Sequence, residues 1–232
     1  GSAELPERPN VHIIQSRSFA SNQLYDVNQL YTQIRELHTW FIFVDCDEFI
    51  SCVNQEKGKS IRDMLFSTYK DVDCIMVPWV MMACNHRDTN PDSLLIGIVH
   101  RWDHDKKHPH PNQWPKGRCR YDAIEVKSIF KGEAVAKIDI HIPGAFKENI
   151  LAIDSVYNNA KPMNPFYKGL HEAEIANARM LCFHYRIFSK EECERKLQGS
   201  KLAGYKEASF KDLWVTDYAE KEETFLREKS MH

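Results

Sequence analysis

The spacing of apolar positions divides the chain into short alternating units. Over residues 26–38 the apolar side chains Val27, Leu30, Tyr31, Ile34 and Leu37 fall at helical spacing, and this stripe predicts a helix. Ser21 or Asp26 is placed to cap it. Directly afterwards, Trp40-Phe41-Ile42-Phe43-Val44 runs into Asp45-Cys46-Asp47-Glu48 and then Phe49-Ile50. This run predicts a strand buried on both faces over residues 40–50. Val11-His12-Ile13-Ile14 is a shorter strand candidate. Residues 11–50 therefore read β-α-β, with parallel strands and a right-handed crossover. Ser60 is placed to cap a helix over Ile61, Met64, Leu65 and Tyr69. Residues 72–82 form a second strongly apolar strand, in which Pro78 predicts a bulge or an edge position. Residues 94–102, 121–130, 134–142 and 180–186 are further strand candidates. Residues 173–178 read as helix, and Ser189 with Glu192 is a capping-box start for another. Residues 103–120 hold histidines, prolines and basic residues without periodicity and read as a long surface loop. The expected architecture is one α/β domain over residues 1–232. It has a mixed sheet flanked by helices, a core over about residues 11–200, and a charged helical tail over 201–232.

Composition narrows the partners. Hydrophobic residues are 43% and charged residues 28%, as in ordinary globular chains. The formal net charge of -2 gives no electrostatic case for nucleic acid or anionic membrane. The apolar stretches are all far shorter than a membrane span. The seven cysteines are odd in number and include no CxxC pair, which argues against a zinc site and for a reducing compartment. A cytoplasmic location is expected, the alternative being a Golgi-lumen catalytic domain of a longer anchored protein.

The acids at the end of the first apolar run carry the chemistry. Ligands of α/β sheets bind beyond the carboxyl ends of the strands. If the chain stays extended through Asp47, then Asp45 and Asp47, two residues apart, share one face. Adjacent carboxylates repel unless a cation neutralises them, and a hard divalent ion, Mn2+ or Mg2+, suits oxygen ligands. The usual anionic partner of such an ion is a nucleotide diphosphate. Other metal-dependent enzymes acting on nucleotide phosphates share this feature. The histidines at 104, 108 and 110 lack the frame of a metal site and read as loop residues. Trp79 and Trp102 suit either the core or a sugar-stacking face, and Trp114 suits the latter.

Trp40-x4-Asp45-x-Asp47-Glu48-Phe49 resembles the signature strand of glycosyltransferases with the GT-A fold. The resemblance is to the branch, family 2-like and galactosyltransferase-like, that carries a Trp-(apolar)-Asp-x-Asp-Glu-Phe strand. Val77-Pro78-Trp79, Lys127-Ser128-Ile129 followed by His141, and Phe183-His184-Tyr185-Arg186 with Ser189-Lys190-Glu191-Glu192 resemble later segments of that branch, in the same order. The resemblance implies transfer of a sugar from a nucleotide-sugar donor, a UDP-sugar, to a hydroxyl of a glycan or glycoconjugate acceptor, with inversion. It implies Asp47 as a metal ligand, with Asp45 at the donor or the metal, and His184 or His141 completing the shell. Arg186 and Lys190, which follow His184, and Lys127 are candidate partners of the diphosphate, and Asp103, after the strand ending at Trp102, is the candidate base, with Asp88, Asp122 and Asp139 as alternatives. Glu48 is expected to support the acids by hydrogen bonding. Few residues precede Trp40, so the N-terminal nucleotide-binding part reads as abbreviated or truncated. That leaves open a transferase-like domain that binds carbohydrate or nucleotide without turnover.

Overall fold

A computed structural model of the chain describes residues 11–12, 23–108, 124–147, 149–156, 159, 163–167, 170–202, 214 and 216–231. Helix α1 (Gln23–Ile34) leads to strands β1 (Trp40–Ile42) and β2 (Glu48–Cys52), helix α2 (Ile61–Phe66) and strand β3 (Cys74–Ala83). A helical turn α3 (Leu94–Gly97) and strand β4 (His100–Arg101) follow. Strands β5 (Ile124–Lys131), β6 (Val135–Lys137), β7 (Ala145–Phe146), β8 (Ala152–Asp154) and β9 (Phe166–Tyr167) precede α4 (Glu172–Asn177) and β10 (Met180–His184). Helix α5 (Lys190–Leu202), strand β11 (Lys221–Glu222) and helix α6 (Phe225–Ser230) complete the described chain.

The apolar run of β3 makes it the spine. All ten of its residues are buried. The main sheet runs β1-β5-β3-β10-β2, with β4 and β8 also paired to β3. β5 is antiparallel to Cys74–Pro78 of β3, and β10 is parallel to Trp79–Met81. The fold is thus α/β with a mixed sheet and helices packed on it, as the alternation of elements predicts. Ser60 caps α2 in a full capping box with Asp63, and α1 turns Tyr31 into the sheet. There the Tyr31 ring meets Phe41 and Phe130 edge-on, at 5.1 and 6.1 Å between centroids. Its hydroxyl donates to the carbonyls of Gly132 and Val135. A side chain at Gly132 would lie 2.7 Å from the Arg35 carbonyl and the Phe41 ring, so only glycine lets this turn close under α1.

Pro78 lies neither in a bulge nor at an edge. It sits in the buried centre of β3, at the register step where pairing with β5 ends and pairing with β10 begins. Its partner Val126 sends its own N–H to the Pro165 carbonyl instead. The missing donor therefore falls at a change of neighbours, where no ladder bond is lost.

The run over 40–50 is not one strand. β1 pairs antiparallel with β5, while β2 pairs antiparallel with β10 at the opposite end of the strand order. Residues 43–47 cross between these margins, and Ile42 and Val44 are exposed, so the strand is not buried on both faces. Of the expected parallel pair over 11–50, Ile13 and Ile14 lie outside the described residues. Residues 94–102 form a helical turn and a two-residue strand, because Ser93 and Leu94 carbonyls accept from Gly97 and Ile98. Residues 134–142 contribute only the short β6, after a 3-10 turn at Gly132–Ala134. The described part of the tail, expected as a charged helix, is helical over α6 and also holds a strand. β11 adds to β4, and Phe225 of α6 stacks on Phe183 at 5.8 Å. His104 and His108 are buried rather than solvated; residues 109–120 of the expected loop, His110 and Trp114 among them, lie outside the described residues.

Arg101 of β4 ties the tail to α4. Its guanidinium donates to both oxygens of Glu172 at 2.6 and 2.7 Å and to Glu223 at 3.2 Å. Burial pushes the Glu172 carboxyl up, but hydrogen bonds from Arg101 and the His104 amide outweigh it and hold the group at about 2. Burial, with the Arg101 charge beside it, holds the His104 imidazole down at about 4. Both folded values lie below the ordinary 4.5 and 6.5. Each contribution is complete above the ordinary value and is lost as pH falls through the folded one. Urea midpoints are therefore expected to fall from neutral pH to pH 4 as His104 resists protonation, and again below pH 4.5 through Glu172. The loss is on the order of 3 kcal/mol for each group. Glu172→Gln should remove the lower phase and leave the upper one.

Candidate active site

The acidic turn is closed by its own third acid. The Glu48 amide donates to the Asp45 carbonyl at 3.1 Å, and the Glu48 carboxylate accepts the Asp45 amide at 2.8 Å. This return bond breaks the extended geometry that would have aligned Asp45 and Asp47. It also puts Glu48 in hydrogen-bond contact with the turn that carries Asp45. The Glu48 and Lys127 side chains are 0% exposed and lie 3.0 Å apart. Burial raises the Glu48 carboxyl to about 7, against the opposing pull of the Asp45 amide and the Lys127 charge. Its second oxygen, Oε1, is buried without a partner among the described residues.

Lys127 stands in β5 opposite Val77 of β3. Besides Glu48, its ammonium reaches Asp45 at 3.1 Å and donates to the Ile140 carbonyl at 3.1 Å. The Ile140 stretch is in turn fixed to α1 through Asn28, whose amide exchanges two hydrogen bonds with the Ile138 backbone. Asp45 keeps 44% of its side chain exposed, so it presents a carboxylate outward from a buried cation.

Asp47 is held from the other side. Its carbonyl accepts the Tyr185 amide at 2.8 Å. One carboxylate oxygen lies 2.6 Å from the ammonium of Lys196, which also donates to the Arg186 carbonyl at 2.7 Å. The other lies 3.9 Å from Nε2 of His184. His184 ends β10, level with Met81 of β3 and opposite Glu48 of β2, and its ring rests on Trp79 at 4.0 Å.

The fold thus brings together Asp45 and Asp47, Lys127 and His184 from three separate stretches of sequence. His141 lies against the same Trp79 ring as His184 and takes other partners. Its ring lies 5.3 Å from Trp79, with Nδ1 at the Val126 carbonyl and Nε2 3.6 Å from Glu125. Arg186 enters through its carbonyl. Lys190 is exposed at the start of α5, and its amide is taken by the Arg87 carbonyl at 2.8 Å. Asp103 belongs to the Arg101–Glu172 network. Its carboxylate lies 3.4 Å from Lys221, which holds it as that lysine's counter-ion. Sequence reasoning missed Lys196. Its signal is positional: it follows Cys193 by three residues and precedes Leu197, and those two buried residues mark the inward face of α5.

A divalent ion can be tested against this donor set. Among the described residues no group of three His, Cys, Asp or Glu side chains is arranged to hold a metal ion. Asp47 with His184 nevertheless offers one carboxylate and one imidazole in contact, with Asp45 close by in sequence. An ion of the Mg2+ type uses one or two carboxylates and completes its shell from water and substrate phosphates, so these residues fit it.

A model of glycosyltransferase family 92 matches residues 4–226. The chain belongs to this family. Among curated proteins none matches it. As a family 92 member the chain is a glycosyltransferase, an enzyme that moves a sugar from a donor to an acceptor. The family match spans nearly all of the described fold, including the tail that packs under β4. No helix among the described residues of this glycosyltransferase is long and apolar enough to cross a membrane.

The buried pair gives a test of stability. Lys127→Met removes the only cation within ion-pair distance of Glu48 among the described residues. It should cost about 3–5 kcal/mol in urea unfolding, because a carboxylate is left uncompensated inside the protein. Lys127→Met combined with Glu48→Gln should recover much of that loss, and the non-additivity is read from the double-mutant cycle.

Proposed function

We propose that this glycosyltransferase uses a nucleotide-sugar donor, a UDP-sugar, and transfers the sugar with inversion to a hydroxyl of a glycan or glycoconjugate. In this reading the fold is of the GT-A type and residues 40–49 are its Asp-x-Asp-Glu-Phe signature. The observation that carries the proposal is the meeting of Asp47 and His184, 3.9 Å apart, with the Lys196 ammonium on Asp47 and the Lys127 ammonium on Asp45. Two carboxylates, an imidazole and two lysines in one place suit a diphosphate and its counter-ion better than they suit a neutral ligand.

Asp47 and His184, with Asp45, would hold Mn2+ or Mg2+. The ion, when bound, stabilises negative charge on the diphosphate as it leaves. The residues of the chain do the remainder. Lys127 fixes the Asp45 carboxylate from below, so that its outward face can accept the donor's hydroxyls. Lys196 reaches both Asp47 and the carbonyl that follows Tyr185, and its ammonium is placed to move onto a phosphate oxygen when a donor enters. Arg186 and Lys190, close in sequence to His184, would add positive charge for the diphosphate. The first amides of α5 do not contribute. They are taken by the Arg87 carbonyl, the Asp88 carbonyl and the Ser189 hydroxyl, so side chains rather than a helix end meet the diphosphate.

Calorimetry with UDP and a panel of UDP-sugars, with and without Mn2+, tests the reading. Binding is expected to need the ion and to disappear in Asp47→Ala. His184→Ala should weaken it about tenfold or more, the usual cost of disturbing a metal's surroundings. Absence of nucleotide binding at every Mn2+ concentration overturns the proposal.

A further inference from the structure

The turn that leaves β3 is built around a buried carboxylate. Asn85 and His86 both have positive φ, 56° and 55°. The turn they make brings the Cys84 and His86 amides onto one group, Asp217. Its carboxylate is 0% exposed and accepts the Cys84 and His86 amides, each at 2.6 Å. The Cys84 thiol lies 3.2 Å away, and burial, with Asp217 next to it, pushes that thiol up to about 12, so it stays protonated and donates.

The same carboxylate has a second neighbour. Nδ1 of His86 lies 3.5 Å from Asp217 Oδ2, while the imidazole as a whole is 63% exposed. The Trp214 ring stands 5.5 Å from it, tilted by 58°. A buried acid behind an exposed imidazole, beside an aromatic face, is the arrangement of an oriented base next to a sugar platform.

Its position fits the reaction. β3 and β10 are parallel, with Met81 level with His184, so the turn beyond Ala83 leaves the sheet from the end where His184 lies. The turn is also clamped to α5, through the Lys190 and Glu191 amides on the Arg87 and Asp88 carbonyls. That helix delivers Lys196 to Asp47. Asp103, by contrast, is held by Lys221.

We propose that His86 is the general base of the transfer, oriented by Asp217, with the acceptor sugar lying along Trp214. The assignment rests on the donor site proposed above. The acceptor hydroxyl gives its proton to Nε2 of His86 as its oxygen bonds to the anomeric carbon. The bond from that carbon to the diphosphate oxygen breaks, and its electron pair leaves with the diphosphate. The imidazolium then returns the proton to water. The groups around the imidazole are Asp217, then Cys84, Arg87 and Asp88 in the same turn, and Lys190 and Glu191 from α5.

The test uses the full chain, UDP with Mn2+ for binding, and hydrolysis of UDP-galactose and UDP-glucose, with water as acceptor, for turnover. His86→Asn is the informative variant, since asparagine accepts the left-handed backbone but cannot take a proton. It should bind UDP as the wild type does, lose about 100-fold or more in hydrolysis rate, and lose the imidazole limb of the pH profile. Added imidazole should restore part of the rate. Asp217→Asn should lower the hydrolysis rate while UDP binding is kept, because the imidazole loses the acid that orients it. An unchanged rate and pH profile in His86→Asn overturns the assignment. So does a loss of UDP binding together with activity, which marks the turn as structural. A wild type that neither binds UDP nor hydrolyses either donor overturns the donor-site reading and the base with it.

Discussion

An ammonium and a carboxylate that are both out of water have to stay together, and this condition fixes the centre of the enzyme. Lys127 and Glu48 meet that condition across strands that do not pair with each other. Separating them would leave an uncompensated charge in the core, at a cost of several kcal/mol. The path of the chain follows from it. Residues 43–47 must cross from the β1 margin toward β2 close enough to β5 for the acids to reach Lys127. Asp45 is thereby presented at the surface of a buried cation, and Asp47 arrives beside the end of β10, where His184 waits. Loops fixed only by their own turns would not bring these groups to one place.

Much of this was legible in the sequence, and the failures have physical causes. The ten buried residues of β3, the Ser60 cap, the Tyr31 stripe and the β10 strand follow from apolar spacing, because burial leaves a periodic trace. Asp45 and Asp47 stood out because acids follow an apolar run, and Lys127 and His184 because their segments resemble those of a glycosyltransferase branch. The break at residues 43–47 left no such trace. It depends on a carboxylate returning to an amide three residues before it, which no pattern of hydrophobicity encodes. Pro78 misled for a related reason: its tolerance depends on which strand pairs on each side of it, a property of topology. Lys196 and Asp217 were invisible because their partners lie more than a hundred residues away. The histidines at 104 and 108 looked like loop residues because nothing local announces that Met81 and Glu220 will cover them.

Two kinds of cation balance serve this fold in different places. Around the acidic turn, lysines neutralise the carboxylates for which donor chemistry is proposed. Around Arg101, a bidentate guanidinium and its acids hold the tail against α4. Asp103 lies in the second group, paired with Lys221.

The tail also carries a consequence in time. Asp217, Lys221 and Phe225 reach back to Cys84, Arg101 and Phe183, and the Asp217 bonds to Cys84 span 133 positions of sequence. Contacts of such separation form late, after the loops between them have closed. On a ribosome the β3–β5 pairing can be complete while Asp217 is still inside the exit tunnel. The turn at Asn85 and His86 would then wait, without its buried acid, until Asp217 emerges. The sheet is assembled first, and the turn at its edge is set only after a further hundred residues and more have been made.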